Sequence, residues 1–374
     1  MLTPESLSSD FPSLAERSYF NTAAEGIPPL AVLESLQQYG QDKLHGMAGR
    51  VLHEAEWNGA KEELALAYGM SVDEVSFCSC SSEAFNLAAL ALQLREGDEI
   101  IINDLDFPAG ATPWLQESSP AIVKVWKSRD FQLDPADLIP LLSPRTRMVT
   151  TSLVSFFNGF KIDLDAVRDL VRSRSSALLA LDVTQALGRI PLDLSDVDLI
   201  ISSTHKWILA SHGGGLVGVP KHRAAEWTVP AGGWFNLENA FDADRFERTV
   251  TKPGAASFSV GMPNYPAIYA IRAGLAYIRQ QSVEKINEQC RPLVEECYRE
   301  LQHMNVELLT PAAEQNRAGI IAFRHRDSEA IYQQLLEKNI HVMHHAGRLR
   351  IAIHGYNSPT DVEKLLATLH AAIH

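Results

Sequence analysis

The chain has 374 residues, 46% of them hydrophobic, enough to bury a large core and, by length, to form two domains. Its 33 Lys and Arg against 46 Asp and Glu give a net charge of -13, which argues against a partner held through a phosphate backbone such as nucleic acid but leaves room for a small anion at a locally positive pocket. No apolar run of about eighteen residues occurs, and the start, MLTPESLSSDFPSL, lacks the basic and apolar segments of a secretory signal, so a cytoplasmic protein without a membrane span is expected.

Residues 1–18 are expected as an irregular arm, and SYFNTAAEGIPP as a short strand running into a turn of small residues. A helix is predicted from Pro29, with Leu30, Leu33 and Leu36 at helical spacing, and another over 58–68, stopped by Gly69 as its C-cap. The run EVSFCSCSSEAFNLAALAL reads as strand, tight turn and a helix beginning near Ser82. A helix N-terminus presents unpaired N–H groups and the positive end of the dipole, so Ser81 and Ser82 are candidates to hold a phosphate. The alternative is that Ser82 only caps its helix, with Glu83 in the first turn. Cys78 and Cys80 lie here, and with Cys290 and Cys297 they form neither a C-x-x-C pair nor a disulfide framework, so free thiols are expected.

Strands follow at 99–103, 121–126 and 148–154, with helices opened by Asp134 and Pro135 and after Asp163, the latter placing Leu164, Val167, Leu170 and Val171 on one face. Repeated βα units predict an α/β fold, a mainly parallel sheet with helices on both faces. Two apolar runs, 177–183 and 197–201, read as buried strands that end in polar residues: Asp182 and Gln185 after the first, Ser203, Thr204, His205 and Lys206 after the second. Neighbouring parallel strands would bring a carboxylate and an amine to one rim, at the carboxyl ends where open α/β sheets bind ligands. Such a pair suits pyridoxal phosphate: Lys206 as the Schiff-base lysine, and Asp182 facing the pyridine nitrogen to favour its protonated, electron-withdrawing form. Taken alone, such a pair is more often a solvated lysine and a turn residue. The HGGG at 212–215 has no G-x-S-x-G elbow to complete an esterase site and reads as a tight turn before a strand at 216–219.

Residues 228–264, rich in Gly, Pro, Asn and aromatic side chains, mark a long functional loop. A long helix is predicted over 266–280 and another through Leu301. Strand 319–324, helix 328–338, two strands around His341 and Leu349 and a helix from Pro359 then suggest a small α+β domain. His341, His344 and His345 have no carboxylate or cysteine at ligand spacing, so no metal is expected.

The D-x-x-Q from Asp182 to Gln185, the S-x-H-K-W from Ser203 to Trp207 and the glycines that follow resemble the class V aminotransferase family of fold-type I pyridoxal phosphate enzymes. That family includes cysteine desulfurases, kynureninases, isopenicillin N epimerases, C–S lyases and aminotransferases. The segment from Tyr19 to Pro29 is similar to its Y-[LF]-[ND]-x-A-A-x-G-x-x-P, and the ending from Arg350 to Asn357 to its R-[IVL]-S-x-x-x-Y-N. The resemblance implies a seven-stranded sheet in a large cofactor-binding domain, 19–255, with a smaller domain from 1–18 and 256–374. It also implies a homodimer with active sites near the interface. By the same resemblance Phe107 stacks on the pyridine ring, though a lone Phe is more often core. Gln185 donates to the phenolic oxygen, and Ser203 and His205 face the phosphate. Arg350 grips the substrate α-carboxylate with its planar fork, and His344 or His345, in the segment before it, faces the pocket.

The sequence departs from the family at Cys80, where a small residue such as Gly is common, at Phe156, where many members carry Asn, and at Met262, where a Thr reaches a neighbour's phosphate. Asn158 is a substitute for the second, and Ser257, Ser259 or Asn264 for the third. No cysteine follows Cys297, so persulfide-forming desulfurase activity is not expected. The first expectation is an aminotransferase-type enzyme acting on a small amino acid, with Lys206 moving the α-proton. The alternatives are a C–S (β-elimination) lyase or an amino-acid epimerase. A non-enzymatic, cofactor-bearing regulator is disfavoured because Asp182, Gln185, Lys206 and Arg350 are all present.

Overall fold

The computed structural model describes residues 4–373. In chain order, α1 (Pro4–Asp10) and a 3-10 helix (Pro12–Leu14) precede β1 (Ser18–Tyr19), α2 (Leu30–Lys43) and α3 (Arg50–Tyr68). The βα part comprises β2 (Val75–Cys78), α4 (Ser81–Leu92), β3 (Glu99–Asn103), α5 (Pro108–Ala111), β4 (Ile122–Trp126), β5 (Thr146–Ser152), α6 (Leu164–Arg174), β6 (Leu178–Asp182), β7 (Leu199–Ser203) and β8 (Gly215–Gly218). After a long irregular stretch come α7 (Tyr265–Gln281), α8 (Val283–Gln302), β9 (Glu307–Leu308), β10 (Ile320–Arg324), α9 (Ser328–Glu337), β11 (Ile340–His341), β12 (Met343–His345), β13 (Arg348–Ala352) and α10 (Pro359–Ile373).

The larger sheet has seven strands in the order β2-β8-β7-β6-β5-β3-β4. It is parallel from β7 through β4, and β8 pairs antiparallel with both its neighbours. Its strands are apolar on both faces because both faces are covered: Ile101, Val149, Leu179 and Ile200 enter one core, while Ile100, Met148, Ala180 and Ile201 enter a second on the other side. The smaller sheet, β12-β13-β10-β9, is antiparallel and packs through Leu349, Ile351 and Ile353 on residues of α8, α9 and α10. α7 contributes Ile268 and Ile271 to the larger core and Tyr277 and Ile278 to the smaller.

Local signals explain most helix ends. Asp163 caps α6 by accepting from Ala166 N at 3.1 Å, and Gly69 closes α3 with a left-handed φ of 65°. Three expectations are corrected. The N-terminal arm is helical rather than irregular, anchored by Phe11, 1% exposed in the smaller core, and by Tyr277 OH donating to Asp10 at 2.9 Å; residues 1–3 lie outside the described residues. α3 starts at Arg50 rather than 58, because its first turns bury a polar residue, His53, whose Nδ1 meets Tyr269 OH at 2.9 Å, and this breaks the apolar periodicity. The segment after Asp134 is only a 3-10 helix, Pro135–Leu138, since Pro140 lacks the N–H that would extend it. No helix among the described residues is long and apolar enough to cross a membrane.

Candidate active site

The loops leaving the carboxyl ends of β2, β3, β5, β6 and β7 meet around a cavity of about 210 Å3 that takes in Ser82, Phe107, Asp182, Gln185, Ser203 and Lys206. Parallel strands deliver their following residues to one rim, which is why positions so far apart in sequence converge. A larger hollow of about 770 Å3, lined by Met70, Pro191, Asp196 and Arg279 among others, contains none of the predicted site residues, so volume alone does not mark the site.

Asp182 is the last residue of β6 and 8% exposed, with Oδ1 accepting from Thr184 N at 2.8 Å. Burial pushes its pKa up, while the Thr184 hydrogen bonds and then the charge of Lys206 oppose the shift. Burial pushes Lys206 down to about 8 against the pull of Asp182, and Arg350 adds to the lowering. A lysine so placed is a free amine for an appreciable part of the time near neutral pH, as a nucleophile or proton carrier must be.

The bend that carries Lys206 is fixed from both sides. Gly26 N donates to His205 O at 2.8 Å, Leu209 N donates to Lys206 O at 3.1 Å, and Leu209 holds a left-handed φ of 58° while fully buried. Trp207 N–Hε1 donates to Gln185 Oε1 at 2.6 Å, and its carbonyl accepts from His354 Nε2 at 2.8 Å. His354 follows β13 and stacks on the Trp207 ring at 5.6 Å, so the smaller sheet also holds the lysine segment. A Cβ on Gly26 would stand 2.1 Å from Lys206 O, closer than any relaxation of side chains can cure. Gly26→Ala is therefore expected to cost about 1–3 kcal/mol in chemical denaturation and to weaken cofactor uptake together with it; unchanged stability and uptake would contradict this packing.

At the other end of the cavity, Ser81 and Ser82 occupy the first turn of α4. Cys80, not Ser82, is the N-cap: its Sγ accepts from Glu83 N at 3.4 Å, so the cysteine turns its side chain along the helix end and does not crowd the turn. Ser203 is 7% exposed and its Oγ, buried, has no hydrogen-bond partner among the described residues. An unpaired buried hydroxyl carries a desolvation cost that a ligand oxygen would remove. With the α4 N–H groups, that hydroxyl and the neutral face of His205, this end fits a phosphate, and the Asp182–Lys206 end fits a pyridine aldehyde; the residues present match pyridoxal phosphate. Burial pushes His205 down to about 4, with Lys206 and His212 adding to it, so its ring is uncharged at neutral pH.

Phe107 is half exposed, and its ring centroid lies 5.3 Å from Lys206 Nζ, a place from which it can cover a flat ring. Phe156 packs edge-on against Phe107 with centroids 5.0 Å apart. Gln185 spends one amide hydrogen on Ala23 O at 3.0 Å, leaving the other N–H of its NH2 group for a ligand. Arg350, 4% exposed, comes from the smaller sheet and donates from Nη1 to Phe156 O at 2.7 Å.

Several expected residues are placed elsewhere. His344 faces away from Arg350: it is opposite Leu349 in the β12–β13 register, packs on Tyr332 and bonds Ser328 Oγ at 3.0 Å, whereas His345 is opposite Arg348 and shares the arginine face. Asn158 does not replace the missing Asn, because its side chain is consumed by Phe131 O, Leu309 O and Phe160 N. Ser257 and Ser259 are likewise bonded internally, to Val229 N and to Phe77 O, while Asn264 donates to Gly213 O at 3.0 Å at the cavity edge.

Three residues around the candidate site were not assigned to it by the sequence reading. Asp106 holds the rim by accepting from Ser152 N and Asn103 Nδ2, both at 2.8 Å, and burial pushes it up to about 7. His212 stacks on His205 at 4.4 Å and meets Glu25 at 2.8 Å. Ligand-capable atoms of Glu25, His205 and His212 lie within 4.8 Å of one another, the two rings being near-parallel at 14°. Arg348, 6% exposed beside Arg350, donates to Phe157 O at 2.8 Å. An arginine two residues before the expected one is the single sequence signal that could have marked it.

The sequence model of the family described as Aminotransferase class-V matches residues 18–365. An uncharacterized aminotransferase, YcbU, of Bacillus subtilis (strain 168) is 24% identical over 374 residues, covering 98% of this chain and 98% of that protein. A cysteine desulfurase of Synechococcus elongatus is 30% identical over 298 residues, covering 74% of this chain and 46% of that one. Among solved structures, the apo cysteine desulfurase of Thermococcus onnurineus NA1 superposes with a TM-score of 0.88 at 20% identity, over 100% of this chain and 98% of that one. The cystine C–S lyase C-DES in complex with its product cysteine persulfide gives 0.86 at 23% identity, over 96% and 98%.

Proposed function

Because the chain belongs to the class V aminotransferase family, whose enzymes work with pyridoxal phosphate, we propose that it acts on a small amino acid in an aminotransferase-type reaction, with Lys206 and Asp182 as its catalytic pair. The observation that carries this reading is the convergence on one cavity of a lysine at about 8, a buried carboxylate and an unpaired buried serine hydroxyl. When bound, the cofactor supplies a ring that withdraws electrons from the substrate α-carbon. Ser81, Ser82, Ser203 and the α4 N–H groups hold its phosphate, with His205 beside them. Phe107 covers the ring and Gln185 donates to its phenolic oxygen. Asp182, ionised against the ring nitrogen, keeps that nitrogen protonated. Arg350 takes the substrate carboxylate, His345 borders that face, and Lys206 carries the α-proton.

Elimination from a sulfur-containing amino acid is the second reading, favoured by the lack of any cysteine after Cys297 to accept sulfur, which a sulfur-releasing lyase does not need. The protein is expected to work as a cytoplasmic homodimer. Leu44, Met47 and Val51 around the α2–α3 turn and Phe241 and Phe246 in the long loop are 70–88% exposed, apolar side chains that a second copy would cover.

Purified protein should be yellow, and borohydride should bleach that colour while leaving the reduced cofactor covalently bound to Lys206. In a screen of amino acids with product analysis, a keto acid with the pyridoxamine form of the cofactor supports transamination, and ammonia with pyruvate supports elimination. Protein that takes up no pyridoxal phosphate would sink the reading.

A further inference from the structure

One face of the smaller sheet carries a ladder of arginines. Arg348 and Arg350 alternate with Leu349 and Ile351, which fill the core behind, and Arg324 lies directly opposite Arg348 on β10, so all three guanidinium groups share the face that meets the larger sheet. Only the outermost has an acidic partner: Arg324 meets Glu307 at 3.6 Å and is 42% exposed, whereas no carboxylate among the described residues pairs with Arg348 or Arg350. Both inner arginines are more than nine-tenths buried, and the Nε of each is buried without a hydrogen-bond partner.

What they touch instead is the turn after β5. Arg350 Nη1 donates to Phe156 O and Arg348 Nη1 to Phe157 O, so consecutive carbonyls bring the two guanidinium groups side by side. Arg348 also lies 4.1 Å over the Phe157 ring. Carbonyls and an aromatic face offset only part of the cost of two adjacent buried cations, and natural interiors pair such charges with anions. Burial, and then the charge of Arg348, pushes Arg350 down to about 9; burial, and then Arg324, pushes Arg348 down to about 10. Both remain charged at neutral pH, and each would be raised by an anion set between them. Neither arginine lines the 210 Å3 cavity itself, but Phe156, whose carbonyl Arg350 holds, does, and the charge of Arg350 is felt at Lys206.

One carboxylate satisfies one guanidinium fork. Resting on the reading given above, we propose that the substrate is a dicarboxylic amino acid, with Arg350 holding its α-carboxylate and Arg348 its side-chain carboxylate. A substrate with an uncharged side chain would leave Arg348 buried and uncompensated throughout the reaction.

Binding of amine-free acids tests this without turnover. Calorimetric titration of the pyridoxal phosphate-loaded chain is expected to show succinate or glutarate binding at least about tenfold more tightly than propionate or butyrate, the increment of one desolvated charge-assisted pair. In Arg348→Met the dicarboxylates should fall to the level of the monocarboxylates, with propionate still bound and the melting temperature not lowered, and Arg348→Lys should recover part of the difference. Equal affinity of both acid classes for the loaded wild type overturns the inference, as does a Met variant that keeps the preference. A Met variant that loses both classes equally together with its melting temperature overturns it too, since Arg348 is then only a structural pin. A chain that stays free of cofactor overturns the underlying reading; a loaded chain with no preference overturns this inference alone.

Discussion

Lys206→Ala loses turnover by about 10^4-fold, at the upper end of what a positioned acid–base group contributes, while the fold and the cavity survive. The side chain leads into the cavity and its backbone is held independently, by Leu209, Gly26 through His205, and His354 through Trp207, so removing the amine leaves the bend in place. The variant should still take up pyridoxal phosphate through Ser81, Ser82, Ser203 and Asp182, but more weakly and without a borohydride-stable label. Small primary amines added to the variant should restore part of the rate, because the missing group is a proton carrier and not a wall of the site. Loading of the wild type should speed up as pH rises through about 8, where the Lys206 amine loses its proton. Steady-state rates at full cofactor occupancy decide the matter, and a variant retaining even a tenth of wild-type turnover would remove Lys206 from the mechanism.

Asp182→Asn is the second large effect, and it acts in opposite directions on rate and on stability. Turnover should drop by about 10^2- to 10^3-fold, the loss seen when one preorganised electrostatic partner of a developing charge is removed. Stability of the cofactor-free chain should rise. Burial lifts the folded-state pKa of Asp182 above its unfolded value, so the folded chain binds that proton more tightly. The contribution of the group is then fully present below the unfolded pKa, near 4, and is lost as pH rises through the raised folded value. Above the unfolded pKa the folded, unloaded wild type is thus penalised for a carboxyl that the unfolded chain ionises more easily, a penalty the variant lacks, and the two should converge on acidification below about pH 4. Loading with pyridoxal phosphate reverses the ranking, because the wild-type carboxylate then meets a protonated ring nitrogen and binding to the native state adds to its stability. Urea melts with and without cofactor between pH 4 and 8 measure both signs. An unloaded variant less stable than wild type at neutral pH would mean that Asp182 is compensated by the protein itself.

Much of this site could be read in one dimension because its residues end strongly apolar strands. Asp182, Ser203 and Lys206 follow runs whose burial the larger sheet dictates, and Arg350 interrupts an apolar strand of the smaller one. What escaped depended on which face a side chain takes. His344 and His345 are adjacent, and only the register of β12 against β13 sends one toward the helices and the other to the arginine face; a slip of one residue would exchange them. Arg348 was passed over for the same reason, since its meaning appears only once Arg324 and Phe157 stand around it. The start of α3 was hidden by His53, a polar residue satisfied inside the core by Tyr269, and the α4 cap by a sulfur in a role usually filled by oxygen. Distant partners, not local pattern, decide such positions.

The bond from His354 to the Trp207 carbonyl, and the stacking of the two rings, bear on how this molecule can change over generations. The chain segment that carries the lysine is shaped in part by a residue encoded far downstream, and Arg189 returns the favour by donating to Ile353 O at 2.8 Å. Recombination that joined this larger sheet to another chain's smaller one would leave the Trp207 carbonyl and the Arg189 guanidinium buried without their counterparts. The two sheets can diversify their surfaces separately, but at this seam they must be inherited as a pair.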